Sequence, residues 1–264
     1  MPPDYASVYA KLGRAEELLH GIDDEVRAWQ DSKPYSFFTK FNLDYTRASL
    51  VIKVNSEPQI IRWSLIVADI FHNLRCALDH LVWAIAVHED PCLISTNDAV
   101  LAFPIWDTRP NSNDRRRIER LSDPVRTVVE SMQPHARPQT TFPLHPLSIL
   151  RNIDNANKHK LLKLVVASTA FGNIKGTYLR QEHEHPGEFT LNTGEIKGDT
   201  EIVVTTFSAP HPEMVYEYGI ALIIAIPHPS ATPAGGDRDD YAALCDAIIA
   251  EVKLVIESVK NAVI

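Results

Sequence analysis

The sequence has little cysteine, and what it has is scattered. The chain of 264 residues holds three cysteines, Cys76, Cys92 and Cys245, which lie far apart and are odd in number. This number and spacing fit neither a disulfide framework nor a cysteine-rich zinc site. The cytoplasm, where thiols stay reduced, is therefore the expected location.

Long apolar runs and a leader segment are also lacking. No apolar run reaches the roughly 18 residues that span a bilayer, so we expect no membrane partner. The start, Met1-Pro2-Pro3-Asp4, lacks the basic and apolar regions of a signal peptide. With 45% apolar and 23% charged residues, the composition indicates a globular protein with a real core.

The chain has no excess of positive charge. Its net charge of −8 argues against a basic coat that binds nucleic acid over the whole surface. Local basic clusters at 115–117 and 158–160 still allow a positive cleft for RNA. Glycine-rich phosphate loops, the Gly-x-Ser-x-Gly elbow and the dinucleotide fingerprint are absent, which disfavours the common nucleotide-dependent classes.

Hydrophobic periodicity predicts one domain over 1–264 with a helical core. The core segments are 1–31, 56–90, 146–164 and 237–264. An aromatic and β-branched pattern predicts a β-hairpin over 35–55, and strands separated by turn residues predict a β-rich insertion over 174–228. The predicted fold class is therefore α+β: a helical bundle core with an inserted antiparallel sheet and a long central amphipathic helix.

Several element boundaries follow from particular residues. Ser56 and Gln59 have the spacing of a capping box, which would place Pro58 in the first turn of the long helix. The stretch 161–167 fits the end of a helix and the start of a strand equally well. A flexible linker is expected over 230–236, before a last helix that opens near Asp237.

A polar stripe on the helix 56–90 is the feature most typical of a functional site. At 100° per residue, four side chains fall inside an arc of about 160°, opposite an apolar face: His72, Arg75, Asp79 and His80. A solvated face is usually rich in Lys and Glu, and this helix has neither between Arg62 and His88. The composition favours a partly buried pocket or an interface, with an ordinary solvated face as the alternative.

A second polar stripe follows on the helix 146–164. Its members share an arc of about 120°: Arg151, Asn152, Asn155, Lys158 and His159. Two such helices in one bundle can face each other and enclose a polar pocket. The alternative is a basic, solvated helix end, which the helix dipole would favour.

Arg75 and His80 form an Arg-x4-His pattern on a helix, Arg75-Cys76-Ala77-Leu78-Asp79-His80. Here the chain resembles the HEPN superfamily, helical-bundle proteins whose ribonuclease members carry Arg-x4–6-His on a helix and commonly act as dimers. Cys76 stands where these proteins often have a polar residue. The segments 72–81 and 155–159 are also similar to uncharacterised bacterial and phage proteins, a likeness that supplies no activity.

The HEPN resemblance implies metal-independent RNA cleavage without a cofactor, by a homodimer, in a defence or toxin setting. Arg75 would bind phosphate and His80 would move the proton, while His72 and Asp79 would orient them. Four residues of the second helix would bind the substrate: Arg151, Asn155, Lys158 and His159. The rival hypothesis is a non-catalytic interaction protein, in which the stripes form a buried network or a dimer interface.

Other interpretations of single residues remain open. A metal site is one, since four side chains offer nitrogen and oxygen ligands: His72, Asp79, His80 and His159. A second Arg-x4-His match, at Arg180 and His185, lies in a predicted strand or loop, and the cluster 183–185 is expected to be an exposed turn. Cys76 is expected to be a packed residue rather than a nucleophile.

Overall fold

A computed structural model of the chain places six α-helices and eight β-strands in the segments it describes. The described residues are 2–95, 101–137, 144–170, 175–178, 187–191, 196, 198–210, 212, 214–217, 220–226 and 241–263. The combination of long helices with antiparallel strands confirms the predicted α+β class.

Four of the six helices lie in the segments predicted to form the helical core. In chain order they are α1 (Ala6–Asp31), α2 (Ile60–Glu89), α3 (Ser112–Arg115), α4 (Asp123–Ser131), α5 (Pro146–Asn157) and α6 (Tyr241–Lys260). Short 3-10 turns follow α2, α3 and α4, at Pro91–Ser95, Arg116–Ile118 and Pro134–Ala136. None of the helices in the described segments is long and apolar enough to cross a bilayer.

The strands form one larger sheet and two pairs, all antiparallel. In chain order they are β1 (Tyr35–Phe41), β2 (Arg47–Val54), β3 (Val165–Ala170), β4 (Lys175–Tyr178), β5 (Gly187–Leu191), β6 (Thr200–Phe207), β7 (Met214–Glu217) and β8 (Ile220–Ala225). The sheet has the order β1-β2-β6-β5, and the pairs are β3-β8 and β4-β7. Since β2 pairs with β6, the predicted hairpin and the predicted insertion share one sheet.

The backbone divides into two compact units. The first comprises Met1–Asp23, Ile61–Lys163 and Ile226–Ile264, and it contains most of the helical residues. The second comprises Asp24–Ile60 and Leu164–Ala225, and it contains every strand of the described segments. The single domain over 1–264 stays a prediction.

Helices α1 and α6 pack against each other in opposite directions. Polar side chains join them along their length, among them Tyr9 with Glu257 at 2.9 Å, Glu16 with Lys253 at 2.5 Å, and Asp23 with Tyr241 at 2.5 Å. Residue numbers rise along α1 while they fall along α6, so the helices are antiparallel. Both helices also carry buried apolar side chains, such as Leu12 and Ile22 of α1 and Ile248 and Val252 of α6.

Helix α2 is the centre of the first unit. Its buried residues recur at helical intervals: Trp63, Ser64, Val67, Ala68, Ile70, Phe71, Leu74, Ala77, Leu78, Leu81, Val82, Ile85 and Ala86. Burying one large apolar side chain stabilises the fold by about 1.5–3 kcal/mol. This face therefore fixes the rotation of α2, and with it the direction in which the first polar stripe points.

Two element boundaries differ from the predictions. The peptide N–H groups of Asn55 and Ser56 donate to the Pro34 carbonyl, at 2.6 and 3.1 Å. These bonds hold the chain in a turn after β2, so α2 begins at Ile60 and Pro58 lies before the helix rather than in its first turn. Helix α5 ends at Asn157 instead of 164, and the ambiguous stretch 161–167 leads into β3.

The remaining boundary predictions concern the C-terminal part. The last part of the predicted β-rich insertion contains two strands, β7 and β8. The linker predicted over 230–236 and the helix opening at Asp237 lie outside the described residues, and α6 begins at Tyr241.

A buried histidine caps the start of α5. His145 Nδ1 accepts the N–H of Leu147 at 3.2 Å, so this nitrogen carries no proton. Its Nε2 lies 4.0 Å from Glu251 Oε1, and Glu251 also binds Arg137. Burial lowers the pKa of His145, and the nearby Glu251 carboxylate raises that pKa by less than burial lowers it. The cap is therefore a neutral imidazole that resists protonation.

We expect His145 to make stability depend on pH. Its pKa is lowered in the folded chain, so the unfolded chain binds the proton first, near pH 6.5. The contribution of His145 to the free energy of unfolding is fully present above pH 6.5, and it is lost as the pH falls below 6.5. Urea unfolding at pH 7.5 and 5.5 measures the loss.

The variant His145→Asn is the matched control for this pH dependence. An asparagine side chain keeps a capping acceptor but does not titrate. The difference in unfolding free energy between the two pH values should be smaller in the variant than in the wild type. If the unfolding free energy changed equally between the two pH values in both proteins, His145 would not be the cause of the pH dependence.

Candidate functional site

Arg75 and Asp79 of α2 clamp one peptide of the extended segment that precedes α3. Arg75 Nη2 donates to the Phe103 carbonyl at 2.6 Å and lies 3.0 Å from Asp79 Oδ1. The same Asp79 oxygen accepts the Phe103 N–H at 2.9 Å. Both polar groups of Phe103, whose side chain is fully buried, are thus satisfied by α2. The clamp fixes this segment to the helix.

The clamp is an ion pair in a poorly solvated place. Burial lowers the pKa of Arg75, although the Asp79 carboxylate opposes this change. Burial likewise raises the pKa of Asp79 against the effect of Arg75. The Arg75 side chain is 14% exposed, and its Nη1 is buried without a hydrogen-bond partner among the described residues. Most of the guanidinium is therefore turned inward.

The first polar stripe meets α5 through His72. His72 Nδ1 lies 3.2 Å from Asp154 Oδ1, and the second oxygen of Asp154 lies 2.9 Å from Lys158 Nζ. The carboxylate is 3% exposed while the imidazole is 54% exposed. A carboxylate only accepts hydrogen bonds, so Nδ1 holds the proton when His72 is neutral. Its Nε2 is then free of a proton and can accept one.

Cys76 lies on the other side of the same imidazole. Its Sγ is 3.5 Å from His72 Nε2, so Cys76, His72 and Asp154 stand in the order of a nucleophile, a base and an orienting carboxylate. Burial raises the pKa of the Cys76 thiol. The residue also lies in mid-helix, where backbone N–H groups are bonded and cannot stabilise an oxyanion. We therefore assign Cys76 no nucleophilic role.

Arg151 of the second polar stripe binds the extended segment as well. Its Nη1 donates to the Ile105 carbonyl at 3.1 Å, and its Nη2 binds Asp107. Asp107 also accepts the Ser148 hydroxyl at 2.5 Å. Helices α2 and α5 thus both hold the segment 103–107, from Arg75 on one side and Arg151 on the other.

The other members of the two stripes face solvent to different degrees. Lys158 Nζ donates to Asn155 Oδ1 at 3.3 Å, and both residues are exposed. His159 is exposed and His80 is half-buried. Within the described part of the chain, neither histidine side chain makes a hydrogen bond or an ion pair.

The stripes meet, but through a residue that sequence reasoning did not select. Asp154 lies at the edge of the second arc, one turn before Lys158. The spacing of four residues between an acid and a lysine was the available signal. Without the tertiary contact to His72, an acid and a lysine four residues apart indicate only an ordinary ion pair along one helix.

Other predicted ligands do not come together. Among the described residues, no group of three or more His, Cys, Asp and Glu side chains is placed to hold a metal ion. The four proposed metal ligands His72, Asp79, His80 and His159 are all among these residues. The second Arg-x4-His match at 180–185 and the cluster 183–185 lie outside the described residues.

Comparison with known proteins identifies no relative of the chain. No protein-family model matches the chain, and no curated protein or solved structure is significantly similar to it. The site must therefore be interpreted from its own geometry.

We expect Arg75→Ala to destabilise the protein. The change leaves the Phe103 carbonyl without its donor and the Asp79 carboxylate without its cation, in a partly buried place. Such losses cost about 2–4 kcal/mol. The midpoint of urea unfolding measures this cost.

The half-buried His80 provides the comparison for Arg75. His80→Ala removes a side chain of the same stripe that makes no hydrogen bond to the described residues. We therefore expect the free energy of unfolding to change by less than about 1 kcal/mol. Equal unfolding midpoints for wild type and Arg75→Ala would contradict the clamp.

Proposed function

We propose that the chain is a metal-independent endoribonuclease of the cytoplasm, with His72 as the group that moves the proton. The observation that carries this proposal is the exposed His72 imidazole held at Nδ1 by the buried Asp154 carboxylate. A carboxylate in this position fixes the tautomer and the orientation of the ring, as in other enzymes that use a histidine base.

The chemistry that fits this dyad is transfer of a phosphoryl group within RNA. His72 Nε2 takes the proton of a ribose 2′-OH, and the 2′-oxygen forms a bond to the adjacent phosphorus. The bond from phosphorus to the 5′-oxygen breaks, and the leaving oxygen takes a proton from solvent. The products are a 2′,3′-cyclic phosphate and a 5′-hydroxyl end, and no metal enters the step.

Lys158 supplies positive charge for the phosphate. Its ammonium group lies on the same carboxylate as His72 and is 53% exposed, so it stays accessible to a ligand. Asn155 positions the ammonium through its amide oxygen. The exposed His159 follows Lys158 at the end of α5 and supplies a further contact to the substrate, whereas Arg151 is paired with Asp107 and has a positioning role.

The geometry supports different roles for Arg75 and His80 than the Arg-x4-His pattern implies. Five residues of α-helix turn a side chain by about 140°, so Arg75 and His80 point in different directions. Arg75 is also engaged by Asp79 and Phe103. These observations favour His72 over His80 as the proton carrier and give Arg75 and Asp79 a positioning role.

We expect His72→Ala to abolish RNA cleavage without unfolding the protein. Loss of a general base lowers the rate about 100-fold or more. Asp154 keeps its contact to Lys158 Nζ in this variant, so we expect the chain to stay folded with a lowered melting temperature. The assay follows cleavage of a labelled single-stranded RNA in EDTA, with the melting temperature measured in parallel. The proposed nuclease activity would be refuted if the wild-type protein left RNA intact or if the His72→Ala variant cleaved RNA at the wild-type rate.

Two further variants separate chemistry from binding. Asp154→Asn preserves the size of the side chain but removes the charge that orients His72, so kcat should fall. Lys158→Gln should mainly raise KM, because it weakens a contact to the phosphate. His80→Ala serves as the control and should cleave at the wild-type rate.

A second candidate function, a non-catalytic interaction protein, is favoured by exposed apolar residues on α2. Ile61, Leu65 and Trp83 are exposed, and on the helix they lie within about 40° of each other, on the side of His72. Ile61 and Trp83 are equally far from His72 along the helix. Two copies packed antiparallel through this face would therefore match Ile61 with Trp83 in a two-fold interface.

The dimer is tested by changing one exposed leucine. Leu65→Glu places a charge in the proposed interface and should convert a dimer to a monomer, as measured by light scattering after size exclusion. Leu254→Glu is the matched control, since Leu254 of α6 is exposed to the same degree outside this face. A wild-type monomer, or equal effects of both changes, would contradict the interface.

A further inference from the structure

An aromatic ring is exposed on the outer strand of the four-stranded sheet. Phe38 of β1 is 42% exposed, and in the described part of the chain its ring contacts no other aromatic ring. Strand β1 is at one end of the strand order β1-β2-β6-β5. On the neighbouring strand β2, Ser49 and Val51, which pair with Lys40 and Phe38, are buried.

Two lysines flank Phe38 on the same face. Side chains alternate along a strand, so Lys40 lies on the face of Phe38, next to it on β1. Lys53 of β2 pairs with Ser36, which places it diagonally across from Phe38, about 7–8 Å away between backbones. Both lysines are exposed, and within the described residues neither forms a salt bridge.

The charge of this strip is opposite to that of the whole chain. Near it, Glu201 of β6 is bound by Arg47 of β2, and the side-chain hydrogen bond from Arg47 lowers the pKa of that carboxyl. The pair is neutral in sum, so Lys40 and Lys53 leave the strip positive in a chain of net charge −8. A positive, aromatic surface on an acidic protein favours an anionic ligand with flat rings.

We propose that Phe38, Lys40 and Lys53, here called the sheet strip, bind single-stranded RNA. One unpaired base stacks on the Phe38 ring, and the two ammonium groups contact the phosphates on either side. Stacking on an exposed aromatic with flanking cations is the usual way in which sheets hold single strands. The choice of RNA as the nucleic acid rests on the proposed function, whereas the stacking contact rests on the strip alone.

The experiment measures RNA binding in the absence of cleavage. All variants are made in the His72→Ala protein, and fluorescence anisotropy follows a labelled single-stranded RNA. Phe38→Ala should weaken binding about 10-fold, since stacking on one ring contributes about 1–3 kcal/mol. Phe38→Tyr, which keeps a stacking ring, should bind normally, while Phe38→Leu should bind as weakly as Phe38→Ala.

The lysines are tested through the dependence of binding on salt. Each phosphate contact to a single strand contributes about 0.7 to the slope of log affinity against log salt concentration. Lys40→Gln with Lys53→Gln should therefore reduce that slope by about 1.4. Arg27→Gln is the control, because Arg27 is an exposed cation of the same compact unit on α1.

The outcomes distinguish this inference from the proposed enzyme. If Phe38→Ala and the double lysine variant bind RNA with unchanged affinity, the sheet strip is not an RNA-binding surface, whatever the cleavage assay shows. Equal affinity for a double-stranded RNA also overturns it, because paired bases cannot stack on the ring. Binding that depends on Phe38 in a protein that never cuts RNA supports the strip and refutes the nuclease.

Discussion

A buried carboxylate is the constraint on which the candidate site depends. Asp154 is almost fully removed from solvent, and an isolated charge in such a place is strongly unfavourable. Its two oxygens are satisfied by His72 and Lys158, one from α2 and one from the next turn of α5. The requirement to pair this charge joins the two helices, fixes the imidazole and holds the ammonium beside it.

The polar face of α2 therefore serves two purposes. Arg75 and Asp79 point inward and hold the peptide of Phe103, so their main contribution is to the fold. His72 points outward, where its Nε2, beside Cys76 Sγ, can meet a ligand. Residues that look equivalent on a helical wheel thus differ in what they contact, and variants of Arg75 change stability and site geometry together.

Local positive charge is the property that the two proposed RNA contacts share. Lys158, the residue that follows α5, and the lysines of the sheet strip are exposed cations on an acidic chain. Negative charge elsewhere on the surface repels a polyanion such as RNA and therefore favours its contact with these cations. The imidazole dyad belongs to one compact unit and the sheet strip to the other, so each can be altered separately.

The sequence by itself determined the features that depend on neighbouring residues. Helical periodicity predicted α2 and its apolar face. Runs of aromatic and β-branched residues between turn residues predicted β1, β2 and β6, because these patterns are complete within a few residues. The tertiary structure alone decided the partners across the chain. His72 and Asp154 are 82 residues apart, and Arg47 and Glu201 are 154 apart. Such contacts have no local signature, since they form only where packing brings distant segments together.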